Sequence, residues 1–351
     1  MGILEELKYK KLVVFGTGSY QRFFDSIARN YLEYSYYVDN DKEKQGKMYS
    51  GKVVAPPTNL IGENKSKVLI IIASSFFTEI SLQLKRMGFI EHLHFKSASE
   101  VLLSLYIEKR NELDYFYRKS IMDFYLLDDD MEDNFIPMVG KTVPYSLTLT
   151  NAKYNLYKSV EYIVKNNLPG DFVECGVWHG GSAMIMALSL IEFGDTSRRI
   201  YLYDTYDEMP DPTEKDVSWN GTSLFRDDWN ELGEVDFKKN YSTEDNVLQQ
   251  LYSTGYPRDK IITVKGKVEE TIPQTVPGNI ALLRLDTDWY VPTYHQFVHL
   301  YPLLVQKGVL IVDDYGVLRG AREATDQYFE ENNINILMTK VNMSVRFAIK
   351  I

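Results

Sequence analysis

Short apolar runs alternate with amphipathic stretches along most of this chain, which is the pattern of an α/β protein. In the first hundred residues, apolar runs at 11–15, 34–38 and 68–73 have the length of buried strands. A Gly-Thr-Gly turn at 16–18 and an amphipathic segment follow the first run, which predicts a strand, a turn and a helix. We therefore predict a small doubly wound, Rossmann-like α/β domain over residues 1–100.

The pattern becomes helical and rich in aromatic residues between residues 97 and 127, and it ends in the acidic run 128–133. The simplest interpretation of this charge run is a solvated linker or helix end, and a metal site is the alternative. We predict a helical linker over residues 101–135 and a second domain over residues 136–351.

The second domain repeats the α/β rhythm. Two short runs near its end, at 334–340 and 344–349, predict an antiparallel hairpin at the edge of the sheet. Both domains open with a strand, a glycine-rich turn and a helix, so the sequence predicts two nucleotide-type folds in tandem. The strand-length apolar runs of the second domain lie at 171–175, 200–203, 261–264, 281–285 and 309–312.

Two of these runs end in carboxylates. Asp286 and Asp288 follow one run, and Asp313 and Asp314 follow the next. In a parallel sheet the carboxyl ends of the strands are where ligands bind, and four carboxylates in one crevice repel each other unless a cation lies between them. Oxygen ligands without a histidine or cysteine cluster favour Mg²⁺, Ca²⁺ or Mn²⁺ over Zn²⁺.

A glycine-rich turn follows the first strand of the second domain. At such a turn the backbone can approach a ligand closely, and the N–H groups of the next helix point toward it. Glu174 precedes the turn and can hold a cationic or hydroxylated ligand, and Asp204 stands where dinucleotide folds bind ribose hydroxyls. The turn alone can be simple geometry, but with both acids it predicts a nucleoside ligand. Its residues are Gly176, Val177, Trp178, His179, Gly180, Gly181 and Ser182.

Four segments of the second domain resemble the macrocin O-methyltransferase family. Members of that family are S-adenosylmethionine-dependent, metal-assisted enzymes that methylate sugar hydroxyls. The resemblance covers roughly residues 150–334 and implies a class I methyltransferase fold with a seven-stranded mixed sheet. The segments lie, in order, at 171–182, 203–210, 282–290 and 300–315.

The resemblance also implies a role for each matched residue. The turn would line the methionine and ribose side of the cofactor, Asp204 would bind the ribose, and residues 265–268 would flank the adenine. The Mg²⁺ ligands, or those of Mn²⁺ or Ca²⁺, would be Asp286, Asp313 and Asp314. The predicted cofactor-binding residues are Glu174, Gly176, Val177, Trp178, Gly180, Gly181, Ser182, Asp204, Thr205, Lys267 and Val268.

The methyl group of S-adenosylmethionine is already activated, so the enzyme must align an acceptor oxygen and help to remove its proton. A divalent ion bound to two neighbouring hydroxyls would make them more acidic. Asp288 is the predicted general base, with a ligand or supporting role as the alternative, and His179 is a rival base. The long polar segment 207–240, with Trp219 and Trp229, predicts a lid over the substrate or an ordinary surface excursion.

The N-terminal domain is less specific. Its Gly16-Thr17-Gly18 turn lacks the third glycine of the dinucleotide fingerprint, although Asp39 lies where a ribose-binding acid belongs. The domain resembles small nucleotide-binding domains attached to some sugar-modifying transferases. It suggests a nucleotide-linked or surface-polysaccharide sugar as the acceptor instead of a macrolide, with a sugar of another glycoside natural product still open, and a structural or oligomerising role of the domain is the alternative. A nucleotide-sugar epimerase or reductase and a non-catalytic cofactor-binding module are the competing functions.

Composition narrows the partners. The 39 basic and 49 acidic residues leave a net charge of −10, which argues against nucleic acid. The single cysteine fits a reducing compartment, and the sequence begins without a signal-peptide pattern. No apolar run approaches the length that spans a bilayer. We predict a cytoplasmic enzyme with a small-molecule or glycan sugar acceptor, and the sequence is compatible with a homo-oligomer.

Overall fold

The computed structural model describes residues 3–219, 221 and 241–351 of the chain. The chain divides into two compact units, Met1–Pro144 and Tyr145–Ile351. We call them the first and the second unit. The segment predicted as a linker over 101–135 therefore belongs to the first unit, together with residues 136–144.

The first unit contains a six-stranded sheet in the order β3-β4-β2-β1-β5-β6. β1 lies between β2 and β5 and is parallel to both, and only the β3–β4 pair is antiparallel. Every side chain of β5 is buried, as expected for a central strand made only of Val, Leu and Ile. The strands are β1 (Lys11–Phe15), β2 (Tyr34–Val38), β3 (Met48–Tyr49), β4 (Lys52–Ala55), β5 (Val68–Ile72) and β6 (Phe95–Ser97).

Six α-helices complete the described part of this unit. The Ser97 side chain accepts a hydrogen bond from the Glu100 N–H and begins α4, which buries Val101 and Leu102 completely. Part of the predicted linker is therefore core, because its apolar side chains do not face water. The helices are α1 (Ile3–Leu7), α2 (Ser19–Ala28), α3 (Phe77–Arg86), α4 (Ala98–Lys109), α5 (Tyr115–Tyr125) and α6 (Phe135–Thr142).

The second unit contains a seven-stranded mixed sheet in the order β12-β13-β11-β10-β7-β8-β9. The five strands from β7 to β11 are parallel, and β12 and β13 form the predicted antiparallel hairpin at the edge beside β11. The predicted fold class, a seven-stranded mixed sheet preceded by a small α/β domain, is confirmed. The strands are β7 (Asp171–Cys175), β8 (Ile200–Asp204), β9 (Ile261–Lys265), β10 (Ile280–Leu285), β11 (Leu304–Val312), β12 (Thr339–Lys340) and β13 (Arg346–Ile349).

Helices cover this second sheet. α8 is apolar all round and nearly every residue in it is buried, so it is a core helix and not a surface one. The glycine-rich turn at the end of β7 leads directly into this helix. The helices of the described second unit are α7 (Thr150–Lys165), α8 (Gly181–Glu192), α9 (Glu244–Ser253), α10 (Val268–Thr271), α11 (Tyr290–Leu300) and α12 (Arg319–Glu331).

The register of the second sheet aligns four strand ends. Leu285 of β10 lies beside Val312 of β11 and Cys175 of β7, and Cys175 lies beside Tyr203 of β8. Each of these strands places its next residue at the same edge of the sheet. Those next residues are Gly176, Asp204, Asp286 and Asp313.

Within the residues that the structure describes, no helix is long and apolar enough to cross a membrane.

Candidate functional site

A cleft of about 660 Å³ lies at the edge where the four strands end. Ligand pockets in proteins typically have volumes of roughly 300–1,000 Å³, so this one can hold a nucleoside cofactor beside a second molecule. Its walls come from the strand ends, from residues 145–149 before α7, from 207–216 after β8, and from the hairpin turn 342–345. All of these segments belong to the second unit.

Three carboxylates meet on one side of the cleft. Asp286, Asp313 and Asp314 can each place a carboxylate oxygen within 4.8 Å of the other two. These are the three residues predicted as metal ligands, and the parallel register of β10 and β11 brings them together. Asp288 also lines the cleft, and its side chain hydrogen-bonds to Asp314.

The charges of this cluster are poorly compensated. Withdrawal from water and repulsion from neighbouring acids hold the pKa of Asp314 well above its ordinary value. The same causes raise the pKa of Asp286, although Arg284 opposes them. Withdrawal from water, with repulsion from Asp286 next, raises the pKa of Asp288 to about 7. A divalent cation among these oxygens would reverse the balance and keep them ionised.

Arg284 is the cation that the cluster does contain. It is only 3% exposed, and its guanidinium lies 2.7 Å from Asp286 Oδ2 and 2.6 Å from Asp313 Oδ2. A third partner, Glu174, accepts from Nη1 at 2.6 Å. The sequence offered a signal for this residue, since it is the one charge in the otherwise apolar strand β10.

Glu174 lies behind the cleft and not on its wall. It is 1% exposed, and the residues that line the cleft do not include it. Burial raises its pKa to about 7 in spite of Arg284, and its second oxygen, Oε2, has no hydrogen-bond partner among the described residues. The structure therefore places Glu174 as the support of Arg284, because β7 and β10 pair these two residues side by side.

Most of the other predicted site residues line the cleft, and two of them do not. His179 and Gly180, like Glu174, lie off the cleft wall, and His179 is buried. Its imidazole lies edge-on against the Trp178 ring, with the ring centroids 4.1 Å apart. The predicted cofactor residues that do line the cleft are Gly176, Val177, Trp178, Gly181, Ser182, Asp204, Thr205, Lys267 and Val268.

The turn after β7 requires glycine at its first position. Gly176 has φ +83°, and a Cβ there would overlap the carbonyl oxygen of Asp286. Trp178 has φ +49°, a left-handed conformation that is unusual for a bulky side chain. Asp288 and Asp314 share this left-handed region, with φ +61° and +57°. Such backbone strain clusters at functional sites, and here it concentrates at the strand ends around one cleft.

Asp204 braces the turn. Its Oδ2 accepts hydrogen bonds from the N–H groups of Val177 at 2.6 Å and Trp178 at 3.1 Å, and its Oδ1 accepts from Tyr206 at 2.8 Å. The Thr205 hydroxyl also donates to Oδ1 at 3.4 Å, so both oxygens accept two hydrogen bonds within the chain. The predicted contact with ribose hydroxyls stays a prediction.

Ser344 is a site residue that sequence reasoning missed. Its hydroxyl lies 3.0 Å from Asp313 Oδ1 and 3.3 Å from Asp314 Oδ1, and it accepts from the Asp314 N–H at 3.0 Å. It comes from the turn between β12 and β13, 30 residues beyond Asp314. A polar turn between two short strands carries no signal of such a contact.

The predicted lid over 207–240 is described only in part. Residues 220 and 222–240, which include Trp229, lie outside the described residues. The preceding part lines the cleft: Trp289 Nε1 donates to the Pro210 carbonyl at 3.0 Å, and Asp216 accepts from the Tyr290 N–H at 2.7 Å. This part of the segment is therefore fixed to the residues that follow Asp288.

The chain is similar in sequence to known O-methyltransferases. Residues 127–348 match the Macrocin-O-methyltransferase (TylF) family, and residues 8–92 match the C2185-like, N-terminal family. Among similar proteins is an 8-demethyl-8-(2,3-dimethoxy-alpha-L-rhamnosyl)-tetracenomycin-C 4'-O-methyltransferase of Streptomyces olivaceus, 27% identical over 64% of this chain and 84% of that protein. Another is a mycinamicin III 3''-O-methyltransferase of Micromonospora griseorubida, 27% identical over 55% of this chain and 74% of that protein.

A solved structure gives the same fold. The O-methyltransferase NovP superposes with a TM-score of 0.50 and 22% sequence identity, over 59% of this chain and 82% of its own. The family match covers most of the chain and contains all four strand ends of the cleft. The chain therefore belongs to the macrocin O-methyltransferase family and, as its motifs predict, is an S-adenosylmethionine-dependent O-methyltransferase.

Proposed function

We propose that this enzyme methylates a hydroxyl group of a sugar, with a divalent cation, most simply Mg²⁺, holding the acceptor. The sugar is suggested by the relatives, one of which is named for a rhamnosyl group. The cation is suggested by the cleft itself. The two parts of the proposal rest on different observations and can be tested separately.

The observation that carries the proposal is the group formed by Asp286, Asp313 and Asp314, whose oxygens lie within 4.8 Å beside the cofactor turn. The donor set fits Mg²⁺, Mn²⁺ or Ca²⁺, which prefer carboxylate oxygens. The raised pKa values of Asp286 and Asp314 also fit, because they express a repulsion that a cation removes.

When bound, the metal ion would act as a Lewis acid that lowers the pKa of an acceptor hydroxyl. The chain's own residues supply the rest. Gly176 and Ser182 line the same cleft as the carboxylates and would hold the methyl donor there. Asp288, on the cleft wall and outside the three-carboxylate group, would accept the proton from the hydroxyl. His179 is a weaker base candidate since it is buried off the cleft.

Calorimetry with S-adenosylmethionine and a methyl-transfer screen test the two parts. We expect the full chain to bind S-adenosylmethionine and to methylate at least one sugar from a panel of nucleotide sugars, free glycosides and glycans. Transfer should stop on addition of a chelator and return with Mg²⁺. Full transfer in the chelator would refute the metal role, and methylation of non-sugar hydroxyls alone would refute the acceptor class.

For the first unit we propose a nucleotide or nucleotide-linked sugar as ligand. The proposal rests on the Gly16-Thr17-Gly18 turn at the end of β1 and on Asp39 at the end of β2. Saturation-transfer NMR with UDP-, GDP- and dTDP-sugars tests it. Binding that survives Asp313→Asn but not Gly18→Val would assign the ligand to the first unit.

We also propose a cytoplasmic location, which the single, buried Cys175 supports, and no nucleic-acid partner, which the net charge of −10 supports. Light scattering would show whether the full chain forms the homo-oligomer that the sequence permits.

A further inference from the structure

Arg284 joins four segments of the second unit. Nη1 donates to Glu174 Oε1 at 2.6 Å and lies 2.7 Å from Asp286 Oδ2. Nη2 donates to Asp313 Oδ2 at 2.6 Å and to Thr148 Oγ1 at 3.3 Å. The two Nη groups carry four hydrogens, and four acceptors surround them.

Burial of the Arg284 guanidinium destabilises the fold unless all of its hydrogen-bond partners are in place. Burying an isolated guanidinium costs several kcal/mol, which only well-placed partners repay. The partners here come from β7, from the ends of β10 and β11, and from the segment before α7. Since Arg284 pairs across the sheet with Glu174 and with Ile311, its backbone is fixed by β-sheet register on both sides.

Arg284 contacts one oxygen of each of two carboxylates, and the other oxygen of Asp313 has different partners. Arg284 occupies Oδ2 of both Asp286 and Asp313. On Asp313 the other oxygen, Oδ1, accepts from the Asp314 N–H and lies 3.0 Å from the Ser344 hydroxyl. Because the guanidinium is planar and rigid, it fixes the distance and the mutual orientation of the two carboxylates that it bridges.

We propose that Arg284 is a positioning residue that makes the carboxylate group selective for Mg²⁺ over Ca²⁺. The inference rests on the metal site of the proposed function. Mg²⁺ requires near-octahedral geometry with short bonds, whereas Ca²⁺ accepts longer and more irregular ones, so fixed carboxylates favour the smaller ion. Glu174 takes part by holding the guanidinium in place from behind the cleft.

A competing role for Arg284 is that of a charge alone. A positive charge beside two metal ligands repels any cation, so its removal would strengthen binding of both ions alike. Arg284→Lys separates the two roles because it keeps the charge but replaces the planar fork by a point charge with three hydrogens. Glu174→Gln is a second variant, which keeps Arg284 and loosens its support.

The test is calorimetric titration of Mg²⁺ and of Ca²⁺ into the full-length wild-type chain and the two variants. We expect Arg284→Lys to weaken Mg²⁺ binding by about tenfold or more, as loss of a group that orients a metal ligand typically does, and to leave the Ca²⁺ Kd within about threefold. Glu174→Gln should shift the same ratio in the same direction by less. It carries the test alone if circular dichroism shows that Arg284→Lys does not fold.

Arg198→Lys is the matched control. Arg198 is also a bridging arginine of the second unit, with Asp195 and the Gly170 carbonyl as partners, but it does not line the cleft. It should lower the melting temperature without changing the Mg²⁺/Ca²⁺ ratio. A wild-type chain that binds Mg²⁺ selectively together with variants that keep the ratio would overturn this inference alone. A wild-type chain that binds neither ion would overturn the metal site itself.

Discussion

The two units of this chain follow the same path through their parallel strands. The order β4-β2-β1-β5-β6 in the first unit corresponds to β9-β8-β7-β10-β11 in the second. In each unit a glycine-rich turn follows the central strand, and the neighbouring strand ends at an acid, Asp39 or Asp204. The units therefore allow a comparison of one framework with two sets of strand-end residues.

The two acids do the same structural work. One oxygen of Asp39 accepts from the Thr17 hydroxyl at 2.5 Å and the other from the Asp41 N–H at 2.9 Å. In Asp204 one oxygen likewise accepts from the glycine-rich turn and the other from the N–H two residues ahead. An acid at this position is thus first a brace for the turn, and its presence alone does not indicate ribose binding.

The difference lies at the next two strands. β5 is followed by Ala73 and two serines, and β6 ends at Ser97, which caps α4. The corresponding ends of β10 and β11 carry residues 286–288 and Asp313-Asp314. Among the described residues, the one carboxylate group that could hold a cation lies there. The framework sets where side chains converge, and these two strand ends set the chemistry.

The largest expected effect comes from removing one of these carboxylates. Asp313→Asn should lower kcat/KM at least about 1,000-fold at fixed Mg²⁺, since a catalytic metal supplies several kcal/mol. The matched change in the first unit, Asp39→Asn, should leave kcat/KM within about threefold. Steady-state methyl transfer measures both, and equal losses would break the comparison between the units.

The next largest effect concerns the stability of the second unit and comes from a buried lysine. Burial lowers the pKa of Lys153 to about 7 from 10.5. The unfolded chain therefore binds more protons between these values, and stability should rise with pH from about 7 to 10.5. Lys153→Met should remove this rise and increase the free energy of unfolding at pH 7 by ~4 kcal/mol. Tryptophan fluorescence during urea unfolding reports it, because all four tryptophans belong to the second unit. Lys165→Met, an exposed change in the same helix, is the control.

In the first unit stability should also rise with pH, but in a more acidic range. Burial alone would raise the pKa of Glu100, but His92 and Lys96 lower it to about 2. The stabilisation is complete above the unfolded value near 4.5 and is lost as the pH falls toward 2, at ~3 kcal/mol in total. Hydrogen exchange of α4 between pH 5 and pH 3 measures it. An unchanged pH profile in Glu100→Gln would contradict the assignment.

Substitution of the two acids that brace the turns should have a smaller effect, and it separates support of the turn from cofactor binding. Asp204→Ala removes two hydrogen bonds from the turn and should weaken S-adenosylmethionine binding about tenfold. Asp39→Ala should reduce the stability of the first unit and leave the calorimetric Kd for S-adenosylmethionine unchanged. Loss of cofactor affinity in both variants would mean that the turns are not independent.

The fold and the residues at the strand ends could be predicted from the sequence because they depend on local pattern. The mainly apolar runs predict β7, β10 and β11, and parallel pairing of such strands brings Asp286 beside Asp313. The partners of Arg284 and the contact of Ser344 could not be predicted, since these depend on register and on a hairpin distant in sequence. The sequence predicts Glu174 on the cleft wall because strand ends usually face ligands, but its carboxylate accepts from Arg284 of the neighbouring strand.

The central claim is that the carboxylates at the ends of β10 and β11 bind a divalent cation. Calorimetric titration of Mg²⁺ into the metal-free full-length chain, wild type and Asp313→Asn, tests it most directly. We predict a single Mg²⁺ per chain in the wild type and binding at least about tenfold weaker in the variant. Absence of Mg²⁺ binding to the wild type, or the same Kd in both proteins, would contradict the account.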